Sequence, residues 1–142
     1  MYRNKRIIVT ICARGGSKGL AGKNIKKLVG KPLLEYTIRS ARKCPLVDRI
    51  VLSTDSTKIK KIGERLGLEV PFLRSKSLAT DQSGRVDAVI DAVKRAEKHW
   101  KEKYDIVVDI GNIILCDSYS AIQIQIDQVV AITPVSKNAS TQ

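Results

Sequence analysis

Residues 13–24, Ala13-Arg14-Gly15-Gly16-Ser17-Lys18-Gly19-Leu20-Ala21-Gly22-Lys23-Asn24, put four glycines and three cationic side chains into one short stretch. Glycine lets backbone N–H groups close on an anion, and Arg14, Lys18 and Lys23 bring charge that a purely structural turn does not need. The chemistry this points to is phosphate binding, with a solvated surface turn as the competing reading. Two common phosphate loops do not fit. A Walker loop needs glycine five residues before its Gly-Lys pair and Ser or Thr after it, where this chain has Ser17 and Asn24. A dinucleotide loop needs Gly-x-Gly-x-x-Gly, which glycines 15, 16, 19 and 22 do not make.

The elements that must position the loop alternate between strand and helix patterns, as in a parallel α/β sheet. An apolar run at residues 7–11 reads as a buried strand leading into the loop. After Lys31-Pro32 comes a helix with Leu33, Leu34, Ile38 and Ala41 on one face and Pro32 in its first turn. Residues 49–53 read as a second strand, followed by a helix that Asp55 or Ser56 caps and Gly67 ends, with Ile59, Ile62 and Leu66 inward. Residues 68–72 read as a third strand. Ser83 opens the longest helix, with Val86, Val89, Ile90, Val93, Ala96 and Trp100 at helical spacing, and residues 105–110 read as a fourth strand. Ligands of open α/β sheets bind beyond the carboxyl ends of the strands. The loop, Thr54-Asp55, the segment after Phe72 and Asp109 are therefore expected to converge. Asp109 ends an apolar strand, where a carboxylate needs a metal or a donor to offset burial.

Composition narrows the class. The chain has 142 residues, 43% of them hydrophobic, which suits one domain over residues 1–142 with its own core. Apolar runs are too short to span a bilayer, and the short apolar segment after Met1-Tyr2-Arg3-Asn4-Lys5-Arg6 does not read as a secretory signal. A cytoplasmic protein with no membrane partner is the expectation. The 26 Lys and Arg against 14 Asp and Glu give a charge of +12, which favours anionic partners. That charge is spread over helix faces, and with one Phe and one Trp the chain lacks the interleaved stacking aromatics of a nucleic-acid surface. Cys12, Cys44 and Cys116 are widely separated and read as reduced thiols, and His99 reads as a surface residue.

Four segments in order resemble the acylneuraminate cytidylyltransferases, or CMP-N-acetylneuraminic acid synthetases. They are the loop from Ala13 to Asn24, then Gly30-Lys31-Pro32-Leu33-Leu34, then Val51-Leu52-Ser53-Thr54-Asp55, and finally Val70-Pro71-Phe72-Leu73-Arg74 with Leu78-Ala79-Thr80-Asp81. The resemblance covers residues 7–110 and implies a Rossmann-like nucleotidyltransferase fold, a three-layer α/β/α arrangement with a mostly parallel sheet. It implies that the anomeric hydroxyl of a nine-carbon keto-sugar acid attacks the α-phosphate of CTP, giving a CMP-sugar and pyrophosphate with Mg²⁺. Arg14 and Lys23 match positions that contact the triphosphate and are the catalytic candidates. Backbone N–H groups across Gly15, Gly16, Ser17, Lys18 and Gly19, with Ala13 at the entrance, complete that cradle. Asn24, Arg74 and Ser83 match positions at the cytosine or ribose, Ser83 serving equally as a helix cap. Asp109 is the candidate Mg²⁺ ligand, and the family implies a homodimer.

Residues 113–142 depart from the family. Ile113-Ile114-Leu115-Cys116-Asp117 stands where a Thr-Ser-Pro-Leu-Arg motif is usual, and family-like sequence returns only at Thr133-Pro134-Val135-Ser136. Ending at Gln142, the chain reads as C-terminally truncated, short of the part that carries an Asp-x-Asp metal site, sugar contacts and much of the dimer interface. Three readings stay open: a sialate-type cytidylyltransferase, one for KDO, legionaminate or pseudaminate, and a nonenzymatic CTP-binding module.

Overall fold

The apolar run Ile7–Cys12 forms β1, the middle strand of a three-stranded parallel sheet ordered β4-β1-β5. The computed structural model describes residues 1–15, 26–79 and 85–110. Flanking β1 are β4 (Arg49–Ser53), with Thr10 opposite Val51, and β5 (Ile106–Ile110), with Thr10 opposite Asp109. A strand with neighbours on both sides and helices on both faces must be apolar throughout, and residues 7–11 of β1 are all buried.

Successive side chains of β1 point to opposite faces. Val9, Ile11 and Ala13 pack with Leu34, Ile38 and Ala41 of α1 (Leu33–Lys43) and Ile59 of α2 (Thr57–Arg65). Ile8 and Val51 pack on the other face with Ala92 and Ala96 of α3 (Arg85–Trp100). The result is the expected α/β/α layering. Among the described residues no helix is long and apolar enough to cross a membrane.

Local chemistry explains the boundaries. Ser56, and not Asp55, caps α2, its Oγ accepting the Ile59 N–H at 3.3 Å. Gly67, at φ +87°, ends the helix as expected, and its N–H and that of Leu68 return to the carbonyls of Glu64 and Gly63. Pro32 is the extended residue before α1 instead of part of its first turn, with φ −57° and ψ 143°. It belongs to a hairpin the sequence reading missed, in which β2 (Lys27–Leu28) pairs antiparallel with β3 (Lys31–Pro32). The two hairpin-tip residues, Val29 and Gly30, have φ of +51° and +78°. The Tyr36 hydroxyl braces the hairpin by donating to the Leu28 carbonyl at 2.6 Å.

Two expectations are corrected. Residues 68–72 are not a strand, although Leu68 and Val70 are buried and Glu69 is exposed in strand-like alternation. The Leu68 N–H is engaged in the α2 cap and Pro71 has none, so each side of the segment is short of one ladder donor. On α3, Val86 is 55% exposed, and the stripe against the sheet is Ala88, Val89, Ala92 and Ala96. Small side chains there let the helix approach the strands closely, and Val93 and Trp100 fill the flanks.

Candidate functional site

The strand order reverses beside β1. The chain leaves β1 for β4 on one side and returns to β5 on the other, which opens a crevice at the carboxyl ends of the strands. The residues there come from the turns after β1 and β4, the segment leading to a short 3₁₀ helix (Lys76–Leu78), and the end of β5.

Ala13 extends β1 by one rung: it is buried, and its N–H donates to the Ser53 carbonyl at 2.9 Å. Arg14 is half-buried and reaches across the crevice, Nη1 donating to the Ala79 carbonyl at 3.4 Å. Gly15 is exposed, and its N–H donates to Asp55 Oδ1 at 2.9 Å. A Cβ on Gly15 would lie 3.0 Å from the Ser56 Cβ, so a side chain there would crowd the start of α2. The Gly15 N–H was expected in the phosphate cradle and is instead engaged by a carboxylate. Gly16, Ser17, Lys18, Gly19, Lys23, Asn24 and Ser83 lie outside the described residues.

Arg74 is only 5% exposed. Its Nε donates to Ser53 Oγ at 2.9 Å, Nη2 to the Ser53 carbonyl at 2.7 Å and Nη1 to the Leu78 carbonyl at 3.4 Å. Its own N–H donates to the Thr54 carbonyl at 2.8 Å. Ser53 is fully buried; its carbonyl also accepts from the Ala13 N–H, and its Oγ receives its donor from the guanidinium, which thus satisfies a buried hydroxyl. Arg74 therefore fastens the end of β4 to the 3₁₀ turn. Two further N–H groups, one on each Nη, remain on a guanidinium that uses its donors this way.

Asp109 is half-buried, and Thr10, fully buried on the adjacent strand, donates Oγ1 to its Oδ1 at 2.9 Å. That bond is the compensation a carboxylate in an apolar strand needs. Among the described residues no group of three His, Cys, Asp or Glu side chains is placed to hold a metal ion. Cys12 and Cys44 form no disulfide, as expected, and His99 pairs with Glu69 on the surface.

At the opposite end of the sheet, Glu102 accepts from Arg49 Nε and Nη2 at 3.0 Å each and from the Tyr104 hydroxyl at 2.8 Å, and it pairs with Arg6 at 3.1 Å. The Arg49 hydrogen bonds are the main reason its carboxyl titrates at about 2. Tyr104 is raised well above the usual phenol range, first by burial and then by Glu102. The Ile7 N–H lowers Asp48. These groups anchor the amino ends of the strands.

Fold and crevice together define a parallel α/β protein with a switch-point site between β1 and β5. The cytidylyltransferase family matches residues 8–116, and the chain belongs to that family. A CMP-N,N'-diacetyllegionaminic acid synthase from Campylobacter jejuni is 39% identical over 104 residues, covering 73% of this chain and 44% of the relative. Its counterpart from Legionella pneumophila is 48% identical over 86 residues, 61% of this chain and 37% of the relative. An N-acylneuraminate cytidylyltransferase from Escherichia coli is 39% identical over 88 residues, 62% of this chain and 21% of the relative. The chain thus spans less than half the length of these relatives. Among solved structures, a CMP:2-keto-3-deoxy-manno-octonic acid synthetase complexed with CTP has a similar fold, with a TM-score of 0.62 at 21% identity over 86% of this chain and 48% of that one.

Proposed function

We propose that this chain forms the CTP-binding part of a cytidylyltransferase that transfers CMP to a nine-carbon keto-sugar acid of the sialic acid type. The observation that supports the reading is that Arg14 and Arg74 reach adjacent carbonyls of one turn beyond the carboxyl ends of the strands, within the segment that matches the family. In the proposed reaction the anomeric hydroxyl attacks the α-phosphate of CTP in line and loses its proton to solvent as the new O–P bond forms, while the bond to the pyrophosphate breaks and its electrons leave with pyrophosphate. Little covalent chemistry falls to the protein, whose work is positioning and charge neutralisation. Arg14 and Lys23 hold the triphosphate, with backbone N–H groups beyond Gly15 completing the cradle. The remaining N–H groups of Arg74 face the nucleoside with Asn24 and Ser83.

Mg²⁺ bound here would offset phosphate charge as the pyrophosphate departs. Such an ion commonly takes one or two carboxylates and fills its shell with phosphate oxygens and water. Asp109, a single carboxylate with Oδ1 on Thr10, fits that mode and does not make an all-protein cage.

N-acylneuraminate is the acceptor the sequence motifs favour, and diacetyllegionaminate is a second reading favoured by the 48% identity to the Legionella relative. Pyrophosphate release from CTP, measured with each acid and with KDO, tests the assignment. Release with a nine-carbon acid is expected. Release with KDO alone contradicts it, and CTP binding without release with any acid favours a nonenzymatic CTP-binding module.

A further inference from the structure

Asp55 lies directly before the residue that caps α2, and it leaves that task to Ser56. Its carboxylate instead accepts the Gly15 N–H at 2.9 Å, across the gap between the turns after β1 and β4. One residue earlier, the Ala13 N–H donates to the Ser53 carbonyl at 2.9 Å. The backbone of Arg14 is therefore bracketed by two hydrogen bonds to the end of β4. Contact between Gly15 and Ser56 is so close that a Cβ would sit 3.0 Å from the Ser56 Cβ, which leaves the bracket little slack.

A carboxylate beside a site for a polyanion is unfavourable for binding unless it does something else. We infer that Asp55 is a positioning residue for the triphosphate: by holding the Gly15 N–H it fixes the Arg14 backbone and aims the guanidinium across the crevice. The inference rests on the CTP reading above. It assigns Asp55 a role through Arg14 and no contact with the nucleotide. The requirement is for an acceptor at Oδ1, so an asparagine, which keeps an oxygen there, substitutes for the aspartate.

The test compares the affinities of wild type, Asp55→Ala and Asp55→Asn for CTP and for CMP by calorimetry, with hydrogen exchange at the Gly15 amide read by NMR. In Asp55→Ala, CTP affinity is expected to fall about tenfold, the size of one lost positioning hydrogen bond, while CMP affinity changes little. Asp55→Asn is expected to restore the CTP preference. Gly15 is exposed, so its amide exchanges slowly only if the Asp55 bond forms; protection is expected in wild type and Asp55→Asn and not in Asp55→Ala. An unprotected Gly15 amide in wild type overturns the inference whether or not the alanine variant folds. So does equal loss of CTP affinity in both variants, or an unchanged ratio of CTP to CMP affinity in Asp55→Ala. Failure of the wild type to bind CTP contradicts the nucleotide reading itself, and is distinct from these outcomes.

Discussion

Arg14 and Arg74 donate to consecutive carbonyls of one turn, Arg14 to Ala79 and Arg74 to Leu78, each at 3.4 Å. One arginine comes from the end of β1 and the other from the chain beyond β4, so the turn at 78–79 is held by both sides of the crevice. A shift in either guanidinium therefore carries to the other. Arg74→Ala is expected to leave the buried Ser53 Oγ without its donor, to remove one of the two donors to the Ser53 carbonyl, and to destabilise the fold by about 2–4 kcal/mol. Arg74→Lys keeps the charge and loses the fork, and is expected to recover only part of that stability. Urea denaturation of both variants checks this; a loss below about 0.5 kcal/mol for Arg74→Ala would mean that the clamp is not structural.

Acid stability should report the Glu102 network. Its carboxyl titrates at about 2 in the fold against an ordinary value of 4.5, so below 4.5 the unfolded chain takes up the proton first. The stabilisation it gives is complete above 4.5 and is lost as pH falls toward about 2. Between those values, the Tm of wild type is expected to fall more steeply than that of Glu102→Gln. Parallel Tm profiles would exclude Glu102 as the source.

Two backbone positions should respond in opposite directions. Gly67 sits at φ +87° with Arg42 Nη2 3.1 Å from where a Cβ would stand, and Gly67→Ala is expected to cost about 1–2 kcal/mol. Val29 holds φ +51° at 88% exposure, a strained setting for a β-branched residue. Val29→Asn places Asn-Gly at a tip with two positive φ angles and is expected to stabilise by about 1 kcal/mol. Chemical denaturation reads both, and changes of the same sign would contradict the assignment of strain.

Much of this was legible in the sequence because the strands carry continuous apolar runs. β1, β4 and β5 fall where the apolar residues stand, and their carboxyl ends place Arg14, Asp55 and Asp109 by topology. What could not be read depended on pairing across distant segments. The exposed Val29 gives no signal for a positive φ, so the hairpin at Lys27 to Pro32 passed unnoticed beside a helix start. Residues 68–72 alternate as a strand does, but the Leu68 N–H belongs to a helix cap and Pro71 has no N–H to pair. Arg74 stands out in sequence only as a match to a family position, and its burial is explained by the buried Ser53 that its guanidinium serves. Asp55 follows a strand and precedes a helix, so cap and loop anchor look alike until Gly15 is placed beside it.

The central claim is a CTP site in the crevice at the carboxyl ends of the strands, and calorimetric titration of wild type and Arg14→Ala with CTP and ATP tests it most directly. Wild type is expected to bind CTP in preference to ATP, and Arg14→Ala to lose about tenfold or more in CTP affinity, the scale of a charge-assisted contact to phosphate. Equal affinity for CTP in the two proteins, or no binding of CTP by the wild type, would contradict it.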